Sequence, residues 1–197
     1  MSAIEQRPAN ERTIEETLAL AEGRTARERR GIDVLRQQCS EHPELLDDVR
    51  TATKWLNHAR NPAVAGDALA ALASLPSATA ADLVYEVWIG TQGRTVATQI
   101  AQEVLYAPSF RKWASPGLSV ALDLRATESC ENILALLPRA VEAGDTRSLQ
   151  VLARINGRRN CGPTKQQDCY PCLRGSVLMS SAIRATRGRR APTFEGG

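Results

Sequence analysis

"SPGLSVALDLRATESCENILALLPRAVEAGD", residues 115 to 145, decides the fold. Ser115 followed by Pro116 marks a helix start, because the hydroxyl can accept from a free first-turn amide and the proline's fixed φ suits the position after it. Leu118, Val120, Ala121, Leu122 and Leu124 then cover nearly the whole circumference of that helix, which predicts a buried helix at the centre of its domain. Ile133, Leu136, Leu137, Ala140 and Val141 make the stripe of the next helix, with Pro138 predicting a break or kink. Gly144 closes it and Asp145 caps a third, which carries Leu149, Leu152 and Ile155. Three consecutive helices without period-two alternation point to an all-α protein.

The same signals recur upstream. Asn61 and Pro62 repeat the cap-and-proline device ahead of a stripe of Val64, Ala68, Ala71, Leu72 and Leu75, and Pro76 stops that helix. Before it, Pro43 opens "PELLDDVRTATKWLNHA", 43 to 59, with Leu45, Leu46, Val49 and Trp55 available for burial. A helix from near Thr79 offers Leu83, Val84, Val87 and Trp88. "GTQG", 90 to 93, breaks the chain before a helix that aligns Val96, Ile100 and Val104. Thr13 with Glu16 and Thr25 with Glu28 form two capping boxes around Gly23, predicting two short helices or one broken one. Downstream, a last helix spans about Ser176 to Arg187. The expected organisation is a disordered 1–12, a peripheral helical arm over 13–40, an α-helical repeat-like domain over 41–190 and a flexible tail over 191–197.

Composition agrees with this pattern. Aromatics make up only 4% of the 197 residues while alanine and leucine dominate, which favours close-packed helices over a sheet. No apolar run approaches the ~20 residues that span a bilayer. The first eighteen residues lack the apolar core of a signal peptide, so a soluble chain without a transmembrane segment is expected.

Catalytic constellations fail one by one. His42 and His58 lie at helix ends in different segments, with no metal-ligand spacing. Glu15–Glu16 and Asp47–Asp48 are adjacent pairs, so on a helix they diverge by about 100° and read as solvated faces. There is no G-x-S-x-G elbow, and "GTQGRT" lacks the lysine of a phosphate loop. Trp55, Trp88 and Trp113 occupy helical positions suited to core or groove packing. The expectation is a protein that is not an enzyme.

Charge is unevenly placed although the net is only +3. Residues 1 to 144 hold 15 Lys/Arg against 19 Asp/Glu, whereas residues 145 to 190 hold 10 basic and 2 acidic side chains. That asymmetry admits an anionic partner. The candidate anion-binding residues are Arg154, Arg158, Arg159, Lys165 and Arg174, with Arg184, Arg187, Arg189 and Arg190 from "IRATRGRR".

Four of the five cysteines, Cys130, Cys161, Cys169 and Cys172, sit in the C-terminal third, and Cys39 lies far off. The loop "NCGPTKQQDCYPCLRG", 160 to 175, is polar and rich in turn-forming residues, so it buries little of its own and calls for a cross-link. The four cysteines suit either a thiolate zinc site, for which C-x2-C is one knuckle, or two disulfides of unknown connectivity. "CYPC" as a redox pair needs an exposed low-pKa thiol at a helix start after a strand, and no βαβ pattern precedes it. In each surviving reading the cluster pins the loop over 157–175 and Cys39 is free.

"NPAVAGDALAAL" and "SPGLSVALDL" share cap, proline and apolar spacing, and the helix series over roughly 43–156 resembles HEAT or armadillo-type repeats in architecture: antiparallel helix pairs in a right-handed stack, with a compact bundle as the alternative. "ASPGLSVALDLRATESCENILALLPRAVEAGDTRSLQVL" followed by "CGPTKQQDCYPCLR" resembles a cysteine-containing helical module in the tail of some bacterial serine/threonine protein kinases, over about residues 80–187. That resemblance implies an extracytoplasmic, oxidising compartment and therefore two disulfides rather than zinc. Without it, the cytoplasm is the default. It transfers no catalytic residue.

Taken together, these readings predict a non-catalytic helical scaffold for protein–protein interaction with no cofactor, zinc being the one possible exception. The alternative is a nucleic-acid-binding protein using the basic region 145–190. Nothing in the sequence fixes the oligomeric state.

Overall fold

The computed structural model of the chain describes residues 6, 8, 11–159 and 161–194. Among them there are ten α-helices and no strand; the one β-bridge is isolated, between Cys161 and Gln167. The described residues fall into two compact units, one of residues 11–110 together with Phe194 and one of residues 111–193.

In the first unit, α1 (Ile14–Glu41) is followed by a 3-10 turn (Pro43–Asp47), α2 (Val49–Arg60), α3 (Ala65–Ala73), α4 (Ala78–Gly90) and α5 (Val96–Tyr106). Trp55, Leu56, Leu69, Leu72, Leu83 and Leu105 are almost wholly buried there. Caps start these helices where the sequence placed polar side chains: Thr13, Asp48, Ser77 and Thr95 each accept from an amide of the first turn.

Several local expectations need correcting. α1 is one continuous helix of 28 residues. The Thr13–Glu16 capping box forms, at 3.1 and 2.9 Å, but the one at Thr25 does not. Thr25 instead donates to the Ala21 carbonyl at 3.1 Å, and Glu28 pairs with His58 of α2 at 2.9 Å. Both partners of the second box have better places to go, so the helix runs on through Gly23. Its C-terminal half is not peripheral either, since Ile32, Leu35 and Cys39 are buried. Asn61 ends α2 rather than starting α3; its Oδ1 accepts from the Ala63 amide at 3.1 Å in a turn that precedes α3. Val49 and Val96 are exposed, and α5 buries Ala97, Thr98, Ala101 and Leu105. The first residue of a helix has no preceding turn to lean on, so an apolar side chain there is not a reliable member of the stripe.

A short helix, α6 (Pro108–Arg111), precedes the second unit, which contains α7 (Pro116–Ala126), α8 (Cys130–Ala143), α9 (Thr146–Ile155), a 3-10 turn (Pro171–Leu173) and α10 (Val177–Arg187). Ser115, Ser129, Asp145 and Ser176 cap its four main helices. Leu118, Val120, Ala121, Leu122 and Leu124 of α7 are all buried, as the run of apolar residues predicts. Val120 and Leu124 meet Ile133, Leu137, Val151, Leu152, Ile155, Leu173 and Met179 in one core. α8 continues through Pro138, which lies on its exposed face. A proline there forfeits one hydrogen bond without a clash against packed neighbours, and the packing of Ile133, Leu137 and Ala140 outweighs that loss.

The end of α10 is stitched to the junction of α8 and α9. Arg189 donates to the carbonyls of Gly144 (3.1 Å) and Val141 (2.7 Å), filling acceptors that a helix C-terminus leaves open. The Thr146 amide donates to the Arg189 carbonyl at 3.0 Å, joining the start of α9 to the residues just after α10. Gly144 is required by this approach: a Cβ there would stand 2.7 Å from Thr186 Cγ2 of α10. The tail expected to be flexible is ordered as far as it is described. Ala191 N donates to Thr146 Oγ1 at 3.0 Å, and Phe194 is buried with its carbonyl 3.4 Å from Thr53 Oγ1; residues 195–197, and most of the 1–12 stretch expected to be disordered, lie outside the described residues.

Candidate functional site

The cysteine loop is built from a staple, a hairpin turn and two sulfur pairs. Cys161 and Cys169 lie at disulfide distance, Cα to Cα 5.1 Å, and Cys130 pairs likewise with Cys172 at 6.2 Å. The first pair closes a turn whose backbone is already joined: Cys161 and Gln167 exchange N–H to carbonyl bonds of 3.0 Å each. Gly162 and Lys165 turn that corner with φ of 74° and 55°, a region glycine enters freely and lysine seldom. The second pair fastens the 3-10 turn to the first residue of α8. Leu173, beside Cys172, is buried in the core of the unit and gives the loop its one deep apolar anchor.

Arg174 is the staple. Its Nε and Nη2 grip Asp168 at 2.5 and 2.6 Å, its Nη1 reaches the Asn156 carbonyl at 2.9 Å, and its Nη2 the Gly157 carbonyl at 2.7 Å. Asp168 Oδ1 also accepts from the Tyr170 amide at 2.9 Å. The hydrogen-bonded guanidinium holds the Asp168 carboxyl below the ordinary carboxylate range and pushes the Arg174 pKa up. The arrangement pins the two ends of the loop to each other, so Arg174, one of the candidate anion-binding residues, positions the loop through Asp168, Asn156 and Gly157.

Beside the loop runs a groove of about 440 Å³ between the end of α9 and the first half of α10. Its lining includes the buried Leu173 and Met179 and the exposed Asn156, Arg158 and Val177. Val177 is 77% exposed and its neighbour Leu178 46%, two large apolar side chains at the start of one helix. The sequence reading missed both, since the local pattern of a last helix gives no sign of which face its neighbours cover.

The other candidate cations divide by position. Arg154 ends α9, Arg158 and Arg159 follow it, and Lys165 sits at the loop tip, all exposed. Arg184 and Arg187 lie in the last turn of α10, and Arg189 and Arg190 follow it. Arg189 is engaged in capping α8. Arg147, by contrast, is buried against Asp145 at 2.6 Å and adds nothing to the surface field.

Cys169 and Cys172 go to different partners, so "CYPC" does not form a dithiol pair with itself. Zinc would need the four sulfurs as thiolates around one metal, whereas they stand two by two; no group of three or more His, Cys, Asp or Glu among the described residues is placed to hold a metal. Cys39 is unpaired and buried, and burial pushes its thiol up. His42 lies 3.3 Å from Glu44, Trp55 is core, and Trp88 stacks edge-on with Tyr85 and Tyr106 at 5.9 Å beside a hollow lined by Arg94 and Gln102. Trp113 is partly exposed under the Lys112 ammonium, 5.1 Å from its ring.

No family model matches the chain, and neither a curated protein nor a solved structure matches it. No helix among the described residues is long and apolar enough to cross a membrane.

Proposed function

We propose that the chain is a non-catalytic helical binding module, and that the groove beside the cysteine loop seats an acidic segment of a partner protein through an apolar anchor. One observation carries this reading: Val177, 77% exposed, lines the same groove as the buried Leu173 and Met179 and the exposed Arg158. Apolar side chains left open beside a basic rim fit a partner segment that carries one large apolar residue among carboxylates. Arg154, Arg158, Arg159 and Lys165 supply the positive field on that side. The loop's covalent and ionic ties support the same idea, because a pre-ordered groove loses less entropy on binding than a loose one.

The reading retains the HEAT-like stacking of antiparallel helices as its architecture. It also retains the extracytoplasmic compartment that the kinase-tail resemblance implies. The two cysteine pairs at bonding distance support an oxidising environment. A cytoplasmic location is the reading this displaces, and locating the complete gene product decides between them.

Selection of a random displayed peptide library against the folded full chain tests the groove. Selected peptides are expected to combine acidic residues with a large apolar anchor, and to lose about tenfold or more in affinity against Val177→Asp and against Arg158→Glu. Absence of enrichment, or binding indifferent to both substitutions, contradicts the proposal. A DNA duplex offered at about 50 mM salt is the parallel arm. Tight, steeply salt-dependent DNA binding without peptide enrichment supports the nucleic-acid reading instead.

A further inference from the structure

We infer that the N-terminal half of α1 pairs antiparallel with the same segment of a second copy of this chain. The buried stripe of α1 is Ile32, Leu35 and Cys39, spaced three and four apart. Continued backwards at the same alternation, the stripe passes Glu28, Thr25 and Ala21 and reaches Leu18 and Ile14. The half that meets the body of its unit is covered, yet Ile14 is 81% and Leu18 57% exposed. The seam is therefore one continuous surface of which only the C-terminal half has found its partner.

Charge selects the occupant. Residues 11–22 carry four glutamates and one arginine, a balance of −3, and residues 23–30 carry four arginines and one glutamate, a balance of +3. A parallel pairing of two such helices sets like against like. An antiparallel pairing sets each acidic half against the basic half of the other copy, so the surface is complementary to itself and closes as a two-fold dimer. Few partners of unrelated sequence meet that condition as well as this segment does. Two contacts fix the middle of α1 to its own unit and so present the N-terminal half as a stiff extension: Arg29 to Asp67 at 2.8 Å and His58 to Glu28 at 2.9 Å. The apolar strip is narrow, which makes the association concentration- and salt-dependent rather than obligate.

Sedimentation equilibrium of the full chain over increasing concentration provides the test. At about 0.01 M salt the average mass is expected to climb toward twice the monomer mass, and at about 1 M salt the rise is expected to weaken by about tenfold in affinity. Leu18→Glu is expected to leave the chain monomeric with an unchanged circular-dichroism spectrum, because Leu18 is exposed in the single chain. Reversing one arm, with Glu15→Lys and Glu22→Lys, is expected to abolish pairing, and adding Arg24→Glu and Arg27→Glu to that variant to restore it. A chain that stays monomeric up to about 200 µM at low salt overturns the inference. So does a dimer that survives Leu18→Glu, or one that the double charge reversal fails to recover.

Discussion

Asp168 accepts from two guanidinium nitrogens and from the Tyr170 amide, and each bond favours its charged form. Arg174 lowers its pKa in the folded chain, so the unfolded chain binds a proton at a higher pH than the folded one does. The contribution is therefore fully present above the unfolded value of about 4 and is lost as pH falls through the lower folded value. We expect the amides of 157–175 to hold their chemical shifts from about pH 8 to about pH 5 and to move together below about pH 4, ahead of the helices. Asp168→Asn should place the loop in its acid form at every pH. A loop that titrates near neutrality, or not at all, contradicts the staple. None of this was legible in the sequence, where Arg174 is simply one of ten cations between 145 and 190. Its carbonyl partners at Asn156 and Gly157 stand 18 and 17 residues away, and only the fold brings them to it.

The two cysteine pairs close loops of different size, with separations of 42 and 8 residues. In the chain-entropy account the long closure stabilises the fold by about 4 kcal/mol and the short one by about 2.5. Cys172→Ser is thus expected to lower stability more than Cys169→Ser in a chemical-denaturation curve. Cys169→Ser should loosen residues 157–175 first and leave the helical core standing, since Leu173 remains anchored. Equal losses, or a core that collapses with Cys169→Ser, contradict this division of roles. The clustering of the four cysteines is plain in the sequence, but their connectivity depends on which helix end meets the loop. Helix starts were legible at Ser115, Asp145 and Ser176, where a side chain supplies a local cap, but not at Asp48, which reads as a solvated acid and caps α2. The rules misled where a side chain had a choice: Glu28 bonds His58 rather than closing a capping box, and Asn61 ends one helix rather than starting the next.

Across the whole chain, the all-α class follows from caps and stripes that act within a turn or two, and it needed no tertiary information. The division into two compact units, the groove at α10 and the uncovered seam of α1 did, because each depends on which faces are covered by residues distant in sequence. The proposed binding surface rests on one structural premise: the loop at 157–175 is held by Cys130–Cys172 and Cys161–Cys169 while Cys39 stays out of the network. Peptide mapping of the protein without reductant, with intact mass recorded alongside, tests that premise most directly. The account predicts a mass about 4 Da below the reduced chain, cross-linked peptides joining Cys130 to Cys172 and Cys161 to Cys169, and Cys39 as a single thiol that alkylates only after denaturation. Four free thiols, a bound zinc ion with the reduced mass, or a link to Cys39 would contradict it.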